Sequence, residues 1–221
     1  MAIFGLFKKN KAQSQPESLA PEAEEVRVER SILTDDHINI LKDIVDASRD
    51  GHLALSHRIR LLSLLNDVKT VNRVFFECAK KVLPIYEEGF GKDESLLLMM
   101  SSINEFLYFD VGEQSSFFVL ADLLKDQVFG FLEGEKKMAA LAGMTVVSLA
   151  YSIAFDAGMM LEIDEYCGEN DDVFDWEGWN PDYYASMTCS GGSPFDATGS
   201  IELRKEFWNW YLDTVLSLSK M

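Results

Sequence analysis

The stretch that most constrains the fold runs from Met138 to Phe155, eighteen residues without a charged side chain (MAALAGMTVVSLAYSIAF). Its length is close to the roughly 20 residues that an α-helix needs to cross a bilayer. The stretch is rich in Ala, Gly, Ser and Thr, however, and it contains two leucines. Small residues give little free energy of insertion into lipid but let neighbouring helices approach closely. We therefore favour a central helix buried on all sides over a membrane span.

The rest of the sequence predicts further helices. Apolar residues recur at spacings of three and four, and no segment alternates with period two for long. Thr34 is a candidate N-cap, with Asp35 and Asp36 in the first turn of the helix that follows. Further helices are expected at about 52–65, 69–83, 94–109, 115–132 and 201–217, with Pro84 bending the third or opening a new turn. The prediction is a single all-α domain of about six to seven helices.

Composition divides the chain into a leader and a domain. Residues 8–30 are polar, with two prolines and mixed charge, so residues 1–30 are predicted to form a flexible leader. The start, MAIFGLFKKNK, places its bases after the apolar residues, which is not the order of a secretion signal. An alternative is a helical adaptor whose apolar start touches a membrane or a partner. Residues 31–221 are assigned to the helical domain, with an irregular acidic and aromatic loop at 162–200 before the last helix.

Acidic residues are concentrated in one part of the chain. The formal net charge is −17, and residues 161–200 contain ten Asp and Glu and no Lys or Arg. Such a chain repels nucleic acid and anionic membranes and attracts a basic partner. A solvated loop that only maintains solubility is the plainer interpretation.

The candidate partner-binding residues lie in this segment, where Trp and Tyr, which dominate interface hot spots, accompany the carboxylates. They are Asp164, Glu165, Glu169, Asp171, Asp172, Asp175, Trp176, Glu177, Trp179 and Asp182. The alternative role for the two tryptophans is to hold the loop onto the helices. Trp208 and Trp210, on the last helix, are expected to be core residues.

Motifs of catalysis and cofactor binding are missing from the sequence. The three histidines are not in HExxH or Glu-x-x-His, and there is no GxSxG, Walker loop or GxGxxG. The run ENDDVFD has the composition of a calcium loop without the EF-hand pattern. Cys78, Cys167 and Cys189 suggest reduced thiols in a cytoplasmic protein, and nearby acids should raise the pKa of Cys189. We expect no enzyme, cofactor or resident metal; a hydrolase that uses carboxylates and a metal is the alternative.

Three short blocks resemble a known family. They are VLPIYEE at 82–88, YYAS at 183–186 and RKEFWNWYL at 204–212. Together with the small-residue helix between them, they resemble the Imm-5-like immunity proteins of bacterial polymorphic toxin systems over about residues 40–216. The resemblance implies an all-α domain that neutralises a cognate toxin made by the same cell, and it supplies no catalytic residues. The acidic segment then suggests a basic toxin, with a nuclease as the candidate, bound by a monomer or weak dimer.

Overall fold

Eight α-helices form most of the computed structural model, which describes residues 33–65, 67–155, 170–173 and 178–221. These residues belong to one compact unit, Ser31–Met221, and the predicted leader at 1–30 lies outside them. No β-strand occurs within the described ranges, so the all-α prediction is confirmed. The helices are α1 Asp35–Ala47, α2 Leu55–Ser63, α3 Val68–Phe90, α4 Glu94–Phe109, α5 Ser116–Val128, α6 Lys137–Ala154, α7 Pro181–Ser190 and α8 Ile201–Ser219.

Helix α6 is the centre of the domain, as its composition predicts. It packs against α3, α5 and α7. Every residue from 139 to 150 is buried except Ser148, which is partly exposed. Gly143 permits the close contact with α5, because a Cβ at that position would lie 2.8 Å from Val128 Cγ1. Among the described residues, α6 is also the one helix long and apolar enough to span a membrane, but 72% of it is buried inside the protein, as in a core helix.

Local capping signals set several helix ends. The Thr34 hydroxyl accepts a hydrogen bond from the His37 amide at 3.4 Å, and His37 Nδ1 accepts one from the Thr34 amide at 3.2 Å, so α1 begins where Thr34 predicts. Asp93 Oδ1 accepts from the Ser95 amide at 2.9 Å and caps α4. These bonds satisfy amides that have no partner within the helix.

Helix α3 continues through Pro84, where the sequence predicts a bend or a new turn. The proline removes one amide donor and introduces a steric clash, together about 3 kcal/mol in a helix interior. Val82 and Tyr86 on either side are buried against the core, while Pro84 is exposed. Packing of both halves of α3 therefore outweighs the local preference, and the helix ends at Gly91, whose φ is +83°.

Helix α7 corrects the prediction of an irregular loop over 162–200. It begins with Pro181 at its first position, where a missing amide costs nothing, and it ends at Gly191 with φ +78°. Both signals are present in the sequence. The helix was missed because nine of its ten residues are buried, so its apolar and polar residues show no amphipathic period. Within 162–200 the structure describes residues 170–173 and 178–200, and residues 191–200 form the expected turn-rich connection.

Candidate partner-binding surface

The structure describes four of the ten predicted contact residues. Asp171 and Asp172 lie in a short 3-10 turn, Trp179 follows it, and Asp182 lies in the first turn of α7. The other six lie outside the described residues: Asp164, Glu165, Glu169, Asp175, Trp176 and Glu177.

Two of the three described carboxylates, Asp171 and Asp182, are paired inside the protein. Arg58 on α2 is 0% exposed, and its Nη1 donates to Asp182 Oδ1 at 2.5 Å. Its Nη2 donates to Asp171 Oδ1. Asp171 is 2% exposed and Asp182 is 0% exposed. One guanidinium thus joins α2, the 3-10 turn and α7 through charge-assisted hydrogen bonds.

His52 and Trp179 complete the attachment of the turn. His52 Nε2 lies 3.0 Å from Asp171 Oδ2, so both oxygens of this carboxylate have a partner. The Trp179 indole Nε1 donates to the Asp171 carbonyl at 2.8 Å, and the Trp179 carbonyl accepts from Ser148 Oγ on α6 at 2.8 Å. The Trp179 ring also contacts Tyr183 edge to face, with centroids 5.2 Å apart. These contacts hold the turn onto the helices, which is the structural role considered for this tryptophan.

The two carboxylates respond differently to the same environment. Burial acts to raise the pKa of Asp171, but the positive charge of Arg58 and the hydrogen bond from His52 bring that pKa below its ordinary value. For Asp182 burial dominates: its pKa is raised despite Arg58, and the negative charge of Asp171 adds to the effect. Burial opposes the charge on Arg58, yet its pKa is raised because both carboxylates face it. The three groups therefore titrate as one coupled unit.

The comparison with protein families agrees with this architecture. The sequence matches the family described as immunity protein Imm5 over residues 38–218, most of the chain. The chain belongs to the Imm5 family of immunity proteins. A search of the curated proteins finds no match. The family match spans every helix from the middle of α1 into α8, including Arg58, the 3-10 turn and α7.

Membership of the Imm5 family makes this chain an immunity protein, whose role is to bind a toxin partner. The buried pairs correct one part of the predicted contact surface. Asp171 and Asp182 are internal groups that present almost no area to a partner, whereas Asp172 is exposed and Trp179 is half-buried. The partner contact itself stays a prediction. Its described candidates are Asp172 and the accessible part of Trp179.

Sequence reasoning missed Arg58 and His52 as functional neighbours of the acidic segment. Arg58 lies three residues after Leu55 and four before Leu62, both of which are buried, so it occupies a core position of α2. An arginine on an apolar helical stripe is the available signal, because a buried charge requires a partner. The sequence does not name that partner, since Asp171 and Asp182 are 113 and 124 residues away.

The cluster of His52, Arg58, Asp171 and Asp182 is also relevant to the alternative prediction that the protein is a hydrolase. It contains a histidine, an arginine and two carboxylates, the residue types of a catalytic site, but none of the four side chains is more than 8% exposed. Its ion pairs and hydrogen bonds assign it to holding the fold together. Among the described residues no group of three or more His, Cys, Asp or Glu is placed to hold a metal ion. Family membership likewise indicates binding in preference to catalysis.

Cys189 on α7 has the expected pKa direction for a different reason. Its pKa is raised to about 11, and the cause is burial. Lys81 partly opposes the shift. Cys78 is fully buried, and burial raises its pKa well above the ordinary value. Both described thiols are free, as the spacing of the cysteines predicts, and Cys167 lies outside the described residues.

Proposed function

We propose that this immunity protein protects the bacterial cell that makes it by binding and neutralising the cognate toxin domain of a polymorphic toxin system. The observation that carries the proposal is the Imm5 family match over residues 38–218. The protein acts in the cytoplasm by occupying the toxin, without chemistry of its own. It binds as a monomer or weak dimer, one copy to each toxin domain.

The toxin is proposed to be basic, and a nuclease is the leading candidate. Ten acids lie at 161–200, and setting aside Asp171 and Asp182, which share Arg58, leaves eight. A nuclease presents a positive cleft to phosphates, and an acidic segment can take their place. Charge complementarity speeds such an encounter and disfavours wrong partners, although at cellular salt it acts over only about 8 Å.

The proposed contact consists of the predicted set without the two buried residues Asp171 and Asp182. It comprises Asp164, Glu165, Glu169, Asp172, Asp175, Trp176, Glu177 and Trp179. Asp175, Trp176 and Glu177 fall between Asp171 and Asp182 in sequence, and both of those anchors are bonded to Arg58. Fixing both ends of a binding segment lowers the entropy lost when it docks, which increases affinity.

The test neutralises Asp172, Asp175 and Glu177 together as Asn, Asn and Gln, leaving the buried anchors intact. The candidate toxin is the C-terminal domain of a large protein encoded directly upstream, where the genome has one, and it is produced with and without this chain in a bacterial host. The full chain is expected to restore growth. The variant should associate with the purified domain about 10-fold more slowly at low salt, with a weaker dependence on salt concentration.

A matched control removes the same three charges elsewhere. Asp43, Glu88 and Glu206 are exposed on α1, α3 and α8, and their amide variants change net charge equally. If both triple variants associate at the rate of the unchanged chain, the acidic segment is not the contact. If the full chain protects against no toxin domain encoded beside it, the immunity function itself fails.

A further inference from the structure

Helix α5 exposes large apolar side chains where an ordinary surface helix carries polar ones. Phe118, Val119 and Leu123 are 41%, 59% and 58% exposed. Val119 and Leu123, four residues apart, lie on one outward side of α5 and Phe118 lies about 100° around the helix from Val119, while Phe117, Ala121 and Leu124 face the core.

Phe155, at the end of α6, extends this face. Its ring contacts that of Phe118 edge to face, with centroids 5.4 Å apart, and it is 53% exposed. Tyr151 stacks on Phe155 at 6.1 Å and also contacts Phe118 at 5.8 Å. Phe118 and Phe155 thus join the exposed side chains of α5 to the end of α6, and we call Phe118, Val119, Leu123 and Phe155 together the α5 patch. Large apolar side chains that are exposed to water close to one another mark interaction sites.

The α5 patch is bordered by negative charge. Asp122 and Asp126 project from the same side of α5, one and two turns after Phe118, and both are exposed. Asp122 Oδ1 accepts a hydrogen bond from the Tyr151 hydroxyl, which fixes its position beside the patch. In sequence, Phe155 is followed at once by Asp156 and then by the acidic segment. An apolar centre with a carboxylate border favours a partner surface that is apolar at its centre and basic around it.

We propose that the α5 patch is a toxin-binding surface that supplies the apolar anchor of the complex, with Asp122 and Asp126 facing Lys or Arg of the toxin. This rests on the proposed immunity function and adds to it a surface outside the predicted acidic set. Aromatic and aliphatic side chains that become fully dehydrated at the centre of an interface contribute most of its affinity, while border charges set the association rate.

The probe is the purified toxin domain that the full chain neutralises in the growth assay above. Val119→Ser and Leu123→Ser, made separately, should each weaken its binding about 10-fold or more, chiefly through faster dissociation. Both side chains are more than half exposed, so the variants should fold as the unchanged chain does, which far-ultraviolet circular dichroism checks. Asp126→Asn should instead slow association at low salt.

Helix α1 offers a matched control for both effects. Ile40 is 58% exposed and Asp43 is exposed three residues later, the same arrangement as Leu123 and Asp126. Helix α1 packs against α8, on a different part of the domain. Ile40→Ser and Asp43→Asn should leave toxin affinity and association rate unchanged within about two-fold.

A pair of charged variants tests the chemistry of the partner. Leu123→Lys places a positive charge toward a basic toxin surface, and Leu123→Glu places a negative one. The lysine variant should therefore bind at least about 10-fold more weakly than the glutamate variant, and added salt should reduce the difference. Equal affinities of the two variants would contradict the proposal that the partner surface is basic around its apolar centre.

The outcomes separate this inference from the immunity function. If the full chain protects cells and the Val119 and Leu123 variants keep full affinity, the α5 patch is not part of the interface, while the immunity function stands. If the variants instead convert a dimeric chain to a monomer in light scattering without loss of toxin affinity, the occupant is a second copy, which also overturns the proposal. Failure of protection by the full chain removes both.

Discussion

Arg58 should be the single side chain on which the attachment of the acidic segment most depends. Replacing it with methionine keeps an unbranched, largely apolar side chain in the core position of α2 but leaves Asp171 and Asp182 buried without a cation. Removing one partner of a buried ion pair typically destabilises a protein by about 3–5 kcal/mol, because the remaining charge stays dehydrated.

The ordinary pKa of aspartate gives a second estimate of the stability loss in Arg58→Met. The variant lowers the free-energy cost of its unpaired buried charges most easily by protonating one of the two carboxylates. An ordinary aspartate has a pKa of 3.8. Holding such a group protonated at pH 7 costs about 4 kcal/mol, at 1.36 kcal/mol for each pH unit. The free energy of unfolding should therefore fall by about 4 kcal/mol at pH 7 and by well under 2 kcal/mol at pH 4.

The sign follows from the directions of the pKa shifts. In the unchanged protein the pKa of Asp171 is below 3.8, so its stabilising contribution is present above about pH 4 and is lost as the pH falls through the lowered pKa. In Arg58→Met the folded-state pKa of a buried carboxylate is raised instead, so the variant loses stability as the pH rises from 4 to 7. Asp182 already has a raised pKa, so the quantity to compare is the difference between the two proteins at each pH.

Urea unfolding followed by circular dichroism at 222 nm measures this difference at pH 4, 5.5 and 7. Arg60→Met is the control, because Arg60 is an exposed arginine on the same helix and its loss should cost less than about 1 kcal/mol. A loss below about 1 kcal/mol for Arg58→Met at pH 7, or an equal loss at pH 4 and pH 7, would refute the coupled ion-pair account.

Two further predictions concern packing and thiol reactivity. Gly89→Ala should lower the unfolding free energy by about 1–3 kcal/mol, because the added Cβ would collide with Ala139 on α6. Gly130→Ala, with nothing within 4 Å of the added Cβ, should cause no loss in the same urea assay; equal effects would contradict the tight α3–α6 contact. Cys189 should react with iodoacetamide at pH 7.4 about 100-fold more slowly than a free cysteine, because its pKa is about 11 in place of 9.0. Peptide mapping by mass spectrometry measures this rate, and a rate equal to that of unfolded protein would contradict the burial of Cys189.

Most of the fold follows from local patterns. The uncharged stretch at 138–155 predicts the buried helix α6, and Thr34 predicts the start of α1. Gly91 at the end of α3 and Asp93 at the start of α4 are local signals of the same kind. These predictions succeed because caps, glycine turns and the 3.6-residue period act within a few residues. At Pro84, packing of both halves of α3 outweighs the local preference for a break. Helix α7 was not predicted because a helix buried on nearly all sides shows no amphipathic period.

The acidic character of the chain and its helical class are determined by the sequence alone. Only the tertiary structure determines which acids can contact a partner. Arg58 pairs with Asp171 and Asp182, which are 113 and 124 residues away in sequence, and both carboxylates are buried. The α5 patch is decided in the same way. Phe118 and Phe155 become neighbours through the packing of α5 on α6. From sequence alone, α5 could equally be a helix whose outward side is covered by another part of the protein.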